Sequence, residues 1–386
     1  MSKLAIMYTN FGPYHLARLK ATARLGQHLG VEVVGLELAS REAIREWEIK
    51  KPGDVTLLTV FPNRKAEDLT PLELARGTWA ALKRLKPQAV ALHLWTKTYP
   101  AFFTVLAWAR LYRQIAIYMS DSKYDDYPRY SIIQNVKKKI ISLFDGALVA
   151  GTAAREYVIM LGMPPERIFV GCDVVDNDHF ARGAEEARKK APQWRRRYGL
   201  PEDYFLYVGR FDEKKNVSGL LQAYHRYSRN KVDNPWHLVL CGSGPLEARL
   251  RQEVQELGLS GVLFAGFRQA DELPVFYGLA RCLVVPSSHS EQWGLVVNEA
   301  MAAGLPVLVS RACGCAPDLV QEGVNGFTFD PYDIGALARL MEEISSGRVD
   351  LKAMGEASRL LIADWGLCTY AKNLLRLMNH CRNAKQ

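Results

Sequence analysis

The feature that most restricts the fold is a regular alternation of short apolar runs with stretches of helical spacing. Residues 4–8, 31–36, 55–60, 89–94, 115–119 and 147–150 are apolar runs of strand length, and residues near 15–29, 70–86, 100–112, 131–143 and 152–162 have a helical pattern. Strands alternating with helices in this way build a parallel sheet covered on both faces. The alternation resumes with strands at 204–208, 236–241, 262–265, 281–285 and 305–310, then helices at 333–346, 350–362 and about 366–380. A chain of 386 residues is too long for one typical core and suits two domains. Between the two blocks a Gly-Met-Pro-Pro turn at 162–165 leads into a charged segment, poor in apolar residues, that runs to Arg197. The expected class is therefore α/β. Its domains are residues 1–172 and 201–364, a surface linker joins them at 173–200, and a terminal helix occupies 365–386.

Hydrophobic content of 48% and charged content of 24% are ordinary for a globular chain. No apolar run approaches the ~18 residues of a membrane span, and the first residues read as a strand, so a cytoplasmic location is expected. Seven scattered cysteines cannot all pair, and Cys313-x-Cys315 lacks the partners of a zinc site. The Asp125-Asp126 pair and the Asp176-x-Asp178 motif resemble metal-binding carboxylates, but the latter does not follow a long apolar strand and reads as part of the linker; no metal and no cofactor is expected. The net charge of +9 calls for acidic partners. Basic runs at 137–139, 188–190 and 195–197 suit anionic lipid headgroups, a sugar diphosphate or nucleic acid, and equally the solvated faces of helices; peripheral association with an inner membrane surface is an expectation. No RNA-recognition signature or zinc finger accompanies them, so nucleic acid is not expected.

The stretch 287–304, SSHSEQWGLVVNEAMAAG, holds the strongest candidate site. It follows the apolar run 281–285, and the polar loop 287–292 lies where open α/β sheets place their ligands, at a strand's carboxyl end. From Gly294 the spacing becomes helical, which puts backbone N–H groups near Gly294 and Leu295 in position for an anion. Glu291 in the loop and Glu299 in the helix are placed to face one polyhydroxylated ligand; spacing alone leaves open a loop acid beside an ordinary helix acid. Gly209, Arg210 and Lys215 follow the strand 204–208, and two cations there suit a diphosphate, each charge-assisted contact contributing ~1.5–3 kcal/mol. Gly242-Ser-Gly244-Pro is a partial dinucleotide fingerprint with Glu247 at the third glycine position, which disfavours an NAD-dependent oxidoreductase. In the first half, the loop with Gly12 and His15, the strand-end His93, and Ser120, Asp121 and Lys123 after the strand 115–119 are the ligand-facing candidates.

In their order, G-R-F-x3-K at 209–215, G-x-G-P at 242–245, E-x7-E at 291–299 and A-M-A-A-G-x-P-V at 300–307 resemble the nucleotide-sugar site of retaining glycosyltransferases of the GT-B fold, in particular glycosyltransferase family 4. The family's Phe-Gly-Leu is Trp293-Gly294-Leu295 here, and its hinge consensus keeps Asp176 and Phe180. The resemblance covers residues 165–345 by motif and the first half by architecture. It implies two Rossmann-like, doubly wound parallel-sheet domains facing a cleft, with the terminal helix crossing back to the first. It also implies a retaining hexosyl-type transferase that takes a sugar from a UDP- or GDP-sugar donor for glycan or glycoconjugate biosynthesis. The acceptor is a glycan, a lipid-linked molecule or a small molecule. By resemblance Arg210, Lys215 and Glu291 act at the reacting phosphate and sugar. Gly209, Gly242, Gly244, Phe267, Arg268, Trp293, Gly294, Leu295, Glu299 and Gly314 line the donor pocket, Phe267 and Arg268 through main-chain groups at the base. Many family members carry a histidine where this chain has Ser120, so the reacting face of the first domain departs from the pattern. A non-catalytic sugar-nucleotide-binding partner and a GT-B sugar-nucleotide epimerase are the alternative readings.

Overall fold

The computed structural model describes residues 2–41, 53–93, 98–126, 129–230 and 234–385; Leu94, in an expected strand, lies outside them. The chain divides into two compact units, the first made of residues 1–124, 128–175 and 366–386, the second of 125–127 and 176–365.

In chain order the first unit contains β1 (Ser2–Tyr8), α1 (Pro13–His28), β2 (Val31–Arg41), β3 (Leu57–Lys65), α2 (Pro71–Leu85), β4 (Ala89–His93), α3 (Tyr99–Leu111), β5 (Ile115–Ser120), α4 (Ser131–Ile141), β6 (Gly146–Val149), α5 (Thr152–Met160) and β7 (Ile168–Val170). The strands form one parallel sheet in the order β3-β2-β1-β4-β5-β6-β7. Central strands such as β4 are buried along nearly their whole length, as sequences covered on both faces demand. The local chemistry is consistent with the elements it starts: Pro71 opens α2 behind Thr70, whose hydroxyl accepts from Glu73 N at 3.3 Å while Glu73 Oε2 accepts from Thr70 N at 2.8 Å. A buried carboxylate on β2, Glu37, fixes the loop after β1, accepting from Phe11 N at 2.9 Å and from the Thr59 hydroxyl at 2.8 Å.

The second unit contains α6 (Asn177–Lys189), α7 (Ala191–Tyr198), β8 (Tyr204–Val208), α8 (Val217–Arg229), β9 (His237–Cys241), α9 (Glu247–Glu256), β10 (Val262–Gly266), α10 (Leu273–Leu279), β11 (Cys282–Val285), α11 (Leu295–Ala302), β12 (Val307–Ser310), α12 (Ala316–Leu319), β13 (Gly326–Phe329), α13 (Ile334–Ser345) and α14 (Leu351–Ile362). Its sheet is also parallel, in the order β10-β9-β8-β11-β12-β13. The last helix, α15 (Leu367–Asn383), belongs to the first unit, where Tyr370, Leu374, Leu375, Leu377, Met378 and Cys381 join the core around β1, β5 and α1.

Two readings of the sequence change. The segment 173–200 is not a surface connection: residues 173–175 belong to the first unit, and α6 and α7 pack within the second. The charged residues hid a narrow apolar stripe, Phe180, Ala184 and Ala187, which α6 buries against α10. Asp176 caps α6, accepting from His179 N at 3.1 Å, which explains the Asp-x-Asp spacing without a ligand. The strands β7 and β13 were not anticipated, because three or four residues carry too little periodicity to register.

Candidate functional site

In an open parallel sheet, ligands bind beyond the carboxyl ends of the strands where the strand order reverses. In the second unit that point lies between β8 and β11. The segment after β8 carries Gly209, Arg210 and Lys215, and the segment after β11 carries residues 286–294. Two hydrogen bonds bind the segments together: Ser288 N donates to Lys214 O at 2.9 Å, and Asn216 Nδ2 donates to Pro286 O at 3.2 Å. Asn216 is left-handed, with φ of 50°, and so turns the chain from the Lys215 loop into α8.

Lys215 and Glu291 consequently meet as a hydrogen-bonded ion pair. Ser287 adds its hydroxyl to the same Glu291 oxygen at 2.9 Å. Burial alone would raise the Glu291 pKa, but the Lys215 ammonium outweighs it and holds the carboxyl below its usual range. Burial would likewise neutralise Lys215, and the Glu291 charge overrides it, so the ammonium pKa is raised. Gly314 N donates to Glu291 O at 3.0 Å and Cys315 N to Trp293 O at 3.2 Å, which seats the loop after β12 against the same wall. Cys313 and Cys315 are buried thiols outside any disulfide. Arg210 is exposed and forms no ion pair among the described residues.

Gly294 initiates α11 with φ of 105°, a conformation open to glycine and costly for other residues. The first helical turn then directs the Leu295 and Val296 N–H groups out of the helix end. Glu299, one turn further on, is almost fully buried, and one carboxylate oxygen accepts from the Tyr277 hydroxyl at 2.6 Å. Tyr277 sits on α10 and had no signal in the sequence, because 22 residues separate it from its partner. Trp293 is buried against Trp365, ring centroids 5.1 Å apart, and its Nε1 donates to Asn298 Oδ1 at 2.9 Å, so it anchors the loop from within.

The remaining donor-side candidates divide into loop packing and side-chain packing. A Cβ on Gly242 would run into the Gly209 carbonyl oxygen, and one on Gly244 into the Phe211 backbone. These glycines let the loops after β8 and β9 nest, with Gly209 N donating to Cys241 O at 3.0 Å and Phe211 N to Ser243 O at 2.9 Å. The Arg268 guanidinium lies over the Tyr198 ring at 4.9 Å and near Glu272 at 3.4 Å, which fixes the loop after β10. Phe267, beside it, is half-buried.

In the first unit the strand order reverses between β1 and β4. Tyr8 ends β1, and His15 stacks on it at 4.0 Å; His93 ends β4, with its ring 5.9 Å from Tyr8. Gly12 caps α1, its N donating to His15 Nδ1 at 3.3 Å. His93 Nε2 lies 3.6 Å from Asp121 Oδ1. Burial disfavours the imidazolium, yet Asp121 reverses the balance and the His93 pKa is raised. Ser120 and Lys123 are buried, and the Ser120 hydroxyl accepts from Ser122 N at 3.2 Å. Behind them lies a pair that sequence reading missed: Arg18, on the inner face of α1, bonds Val174 O at 3.0 Å and pairs with Asp173 at 3.1 Å. A charge in the apolar stripe with Leu16, Leu19 and Thr22 was the available signal.

Residues 190–361, all in the second unit, match the family model described as Glycosyl transferases group 1. The chain is 34% identical over 173 residues to the O-antigen chain mannosyltransferase C of Escherichia coli, covering 44% of each. It is 34% identical over 206 residues to the D-inositol 3-phosphate glycosyltransferase of Acidothermus cellulolyticus, covering 50% of this chain and 44% of that one. The matches thus span less than half the length of both relatives. Among solved structures, a sucrose-phosphate synthase from Thermosynechococcus elongatus superposes with a TM-score of 0.75 at 19% identity, covering 100% of both chains. Anabaena HepE in complex with UDP superposes at 0.72 and 18% identity, covering 98% of this chain and 100% of that one. The two parallel-sheet units therefore have the GT-B fold, and the second carries the stretch that matches the Glycosyl transferases group 1 family.

Proposed function

We propose that the protein is a retaining glycosyltransferase of family 4 type that takes a sugar from a nucleoside diphosphate donor. The observation that carries this reading is the ion pair of half-buried Lys215 with buried Glu291 at the strand-order reversal of the second unit, beside the amino end of α11. A Lys ammonium has three N–H donors. With one held by Glu291, the others serve the oxygens of the departing diphosphate, while Arg210 and the α11 N–H groups add to its neutralisation. Glu291 orients Lys215 and takes hydrogen bonds from the donor sugar's hydroxyls, and Glu299 takes those of the ribose. In the step itself the bond from the anomeric carbon to the diphosphate oxygen breaks. The acceptor oxygen bonds to that carbon on the same face, and its proton passes to the leaving phosphate. Catalysis then rests on preorganised charge, which needs no protein base. The named relatives, a mannosyltransferase and an inositol phosphate glycosyltransferase, support sugar transfer, and HepE in complex with UDP supports a nucleotide donor.

The test is thermal unfolding against UDP- and GDP-sugars, followed by transfer assays that read the anomeric configuration. One donor is expected to raise Tm by mass action, by about 2.7 kcal/mol of stability at a hundredfold excess over Kd. No shift with any of them, or a product of inverted configuration, removes the reading. Because side-chain cations are assigned to the diphosphate, turnover is expected to survive EDTA. A loss that magnesium restores would give that task to a metal ion.

A further inference from the structure

The helix α4 is anchored through its last turn, where Ile141 is buried and Ile140 half-buried, yet it leaves an apolar face in solvent. Its partly buried flank carries polar side chains: Gln134 Oε1 accepts from the Tyr157 hydroxyl at 3.0 Å, and Lys137 Nζ donates to that hydroxyl at 3.2 Å. Its outward side carries Ile132, Ile133 and Val136, which are 77%, 49% and 52% exposed, and Tyr130 just before the helix is 68% exposed. Residues 132, 133 and 136 fall on one side of a helical wheel, so they form a single apolar face. An amphipathic helix normally turns such a face to the core.

The charges carried by residues 127–144 are all of one sign. Arg129, Lys137, Lys138 and Lys139 flank the apolar residues, and the sequence holds no Asp or Glu from 127 to 144. The Arg129 guanidinium lies over the Tyr157 ring at 4.5 Å, and Lys137 is tied to the same tyrosine, so two cations are fixed at the base while Lys138 and Lys139 are exposed. Apolar side chains rimmed by lysines are the composition that enters the headgroup and acyl boundary of a bilayer. A second copy of the chain docking face to face would bring like charges together, which disfavours that occupant.

We propose that residues 129–143 form a membrane-docking face, in which Tyr130, Ile132, Ile133 and Val136 insert between acyl chains and Lys138 and Lys139 engage anionic headgroups. This inference stands apart from the transferase reading, because it needs no donor and no reaction.

The test is sedimentation of the full chain with vesicles of phosphatidylglycerol in phosphatidylcholine, and with phosphatidylcholine alone. Binding is expected to the mixed vesicles and to weaken with added salt. Lys138→Gln with Lys139→Gln is expected to weaken it about thirtyfold, each lysine near an anionic surface being worth about 1 kcal/mol. Ile132→Ser with Ile133→Ser is expected to weaken it about tenfold or more through lost apolar burial. Both double variants should keep the wild-type Tm, since the four side chains are exposed, and Tyr130→Trp should shift its emission to the blue on mixing with vesicles. Any of three results overturns the proposal: no sedimentation of the wild type, equal binding to neutral vesicles, or unchanged binding by the isoleucine variant. So does a vesicle-free dimer that the isoleucine variant abolishes, which would make the face an interface between copies.

Discussion

Lys215 and Glu291 make each other's charge tolerable in a buried setting, so neither can be removed without leaving the other exposed to the full cost of desolvation. Lys215→Ala is expected to destabilise the fold by about 3–5 kcal/mol, and, on the proposed function, to lower kcat by roughly 10²–10³. Chemical denaturation and donor turnover measure the two effects separately. A stable variant that turns over at the wild-type rate would end the assigned role. The pair also sets a pH window. Glu291 has a depressed pKa, so its contribution is present above the unfolded value near 4.5 and is lost as the pH falls through the lower folded value. Lys215 has a raised pKa, so its share is present below about 10.5 and is lost as the pH climbs through the higher folded value. Unfolding free energy followed by urea titration should show a plateau between these limits, with Glu291→Gln flattening the acid limb. Tyr277→Phe removes the hydroxyl that steadies the Glu299 carboxylate and is expected to cost about 1–3 kcal/mol of stability and to weaken nucleotide binding by calorimetry; unchanged values for both would contradict the coupling. The sequence exposed Lys215 and Glu291 because each follows a clear strand. It concealed Tyr277 and the Arg18–Asp173 pair because contacts between distant segments leave no local pattern.

At the level of elements, the ends of β8, β9 and β11 act together. The glycines after β8 and β9 read in the sequence as a strand-end turn and a partial dinucleotide fingerprint; the structure gives them a packing task, since a Cβ on Gly242 would collide with the Gly209 carbonyl oxygen. Gly242→Ala is expected to cost about 1–3 kcal/mol by overpacking, with a further penalty from its φ of 155°, and thermal unfolding checks it; an unchanged Tm would show that the loops are not nested as described. Strands with continuous apolar runs were legible, as were helices with a broad apolar face. What failed was the reading of α6, where charge on three sides outweighed one thin apolar stripe, and of β7 and β13, where the runs were too short to carry a period. In each case the deciding contribution came from a neighbour such as α10, and a neighbour is invisible to local spacing.

At the scale of the whole molecule, the first unit is discontinuous: residues 176–365 are inserted between its β7 and its α15, and Val175 and Gly366 bridge side by side where the chain leaves and returns. Removing residues 366–386 would strip Leu374, Leu375, Leu377 and Met378 from the core of the first unit. At about 1.5–3 kcal/mol for each side chain, the loss of roughly 6–12 kcal/mol rivals the whole stability of a typical domain. The truncated chain is expected to keep one cooperative transition, from the second unit, and to lose the other; calorimetry showing two intact transitions would refute this. No helix among the described residues is long and apolar enough to cross a membrane. The insertion also imposes an order on biosynthesis. At about 5–20 residues per second, the seat for α15 beside β1 and α1 stays open for roughly 10–40 s while the inserted unit emerges. A nascent chain of this kind presents an unfilled apolar groove through that interval, and its yield in the cell should depend on whatever shields that groove until α15 arrives.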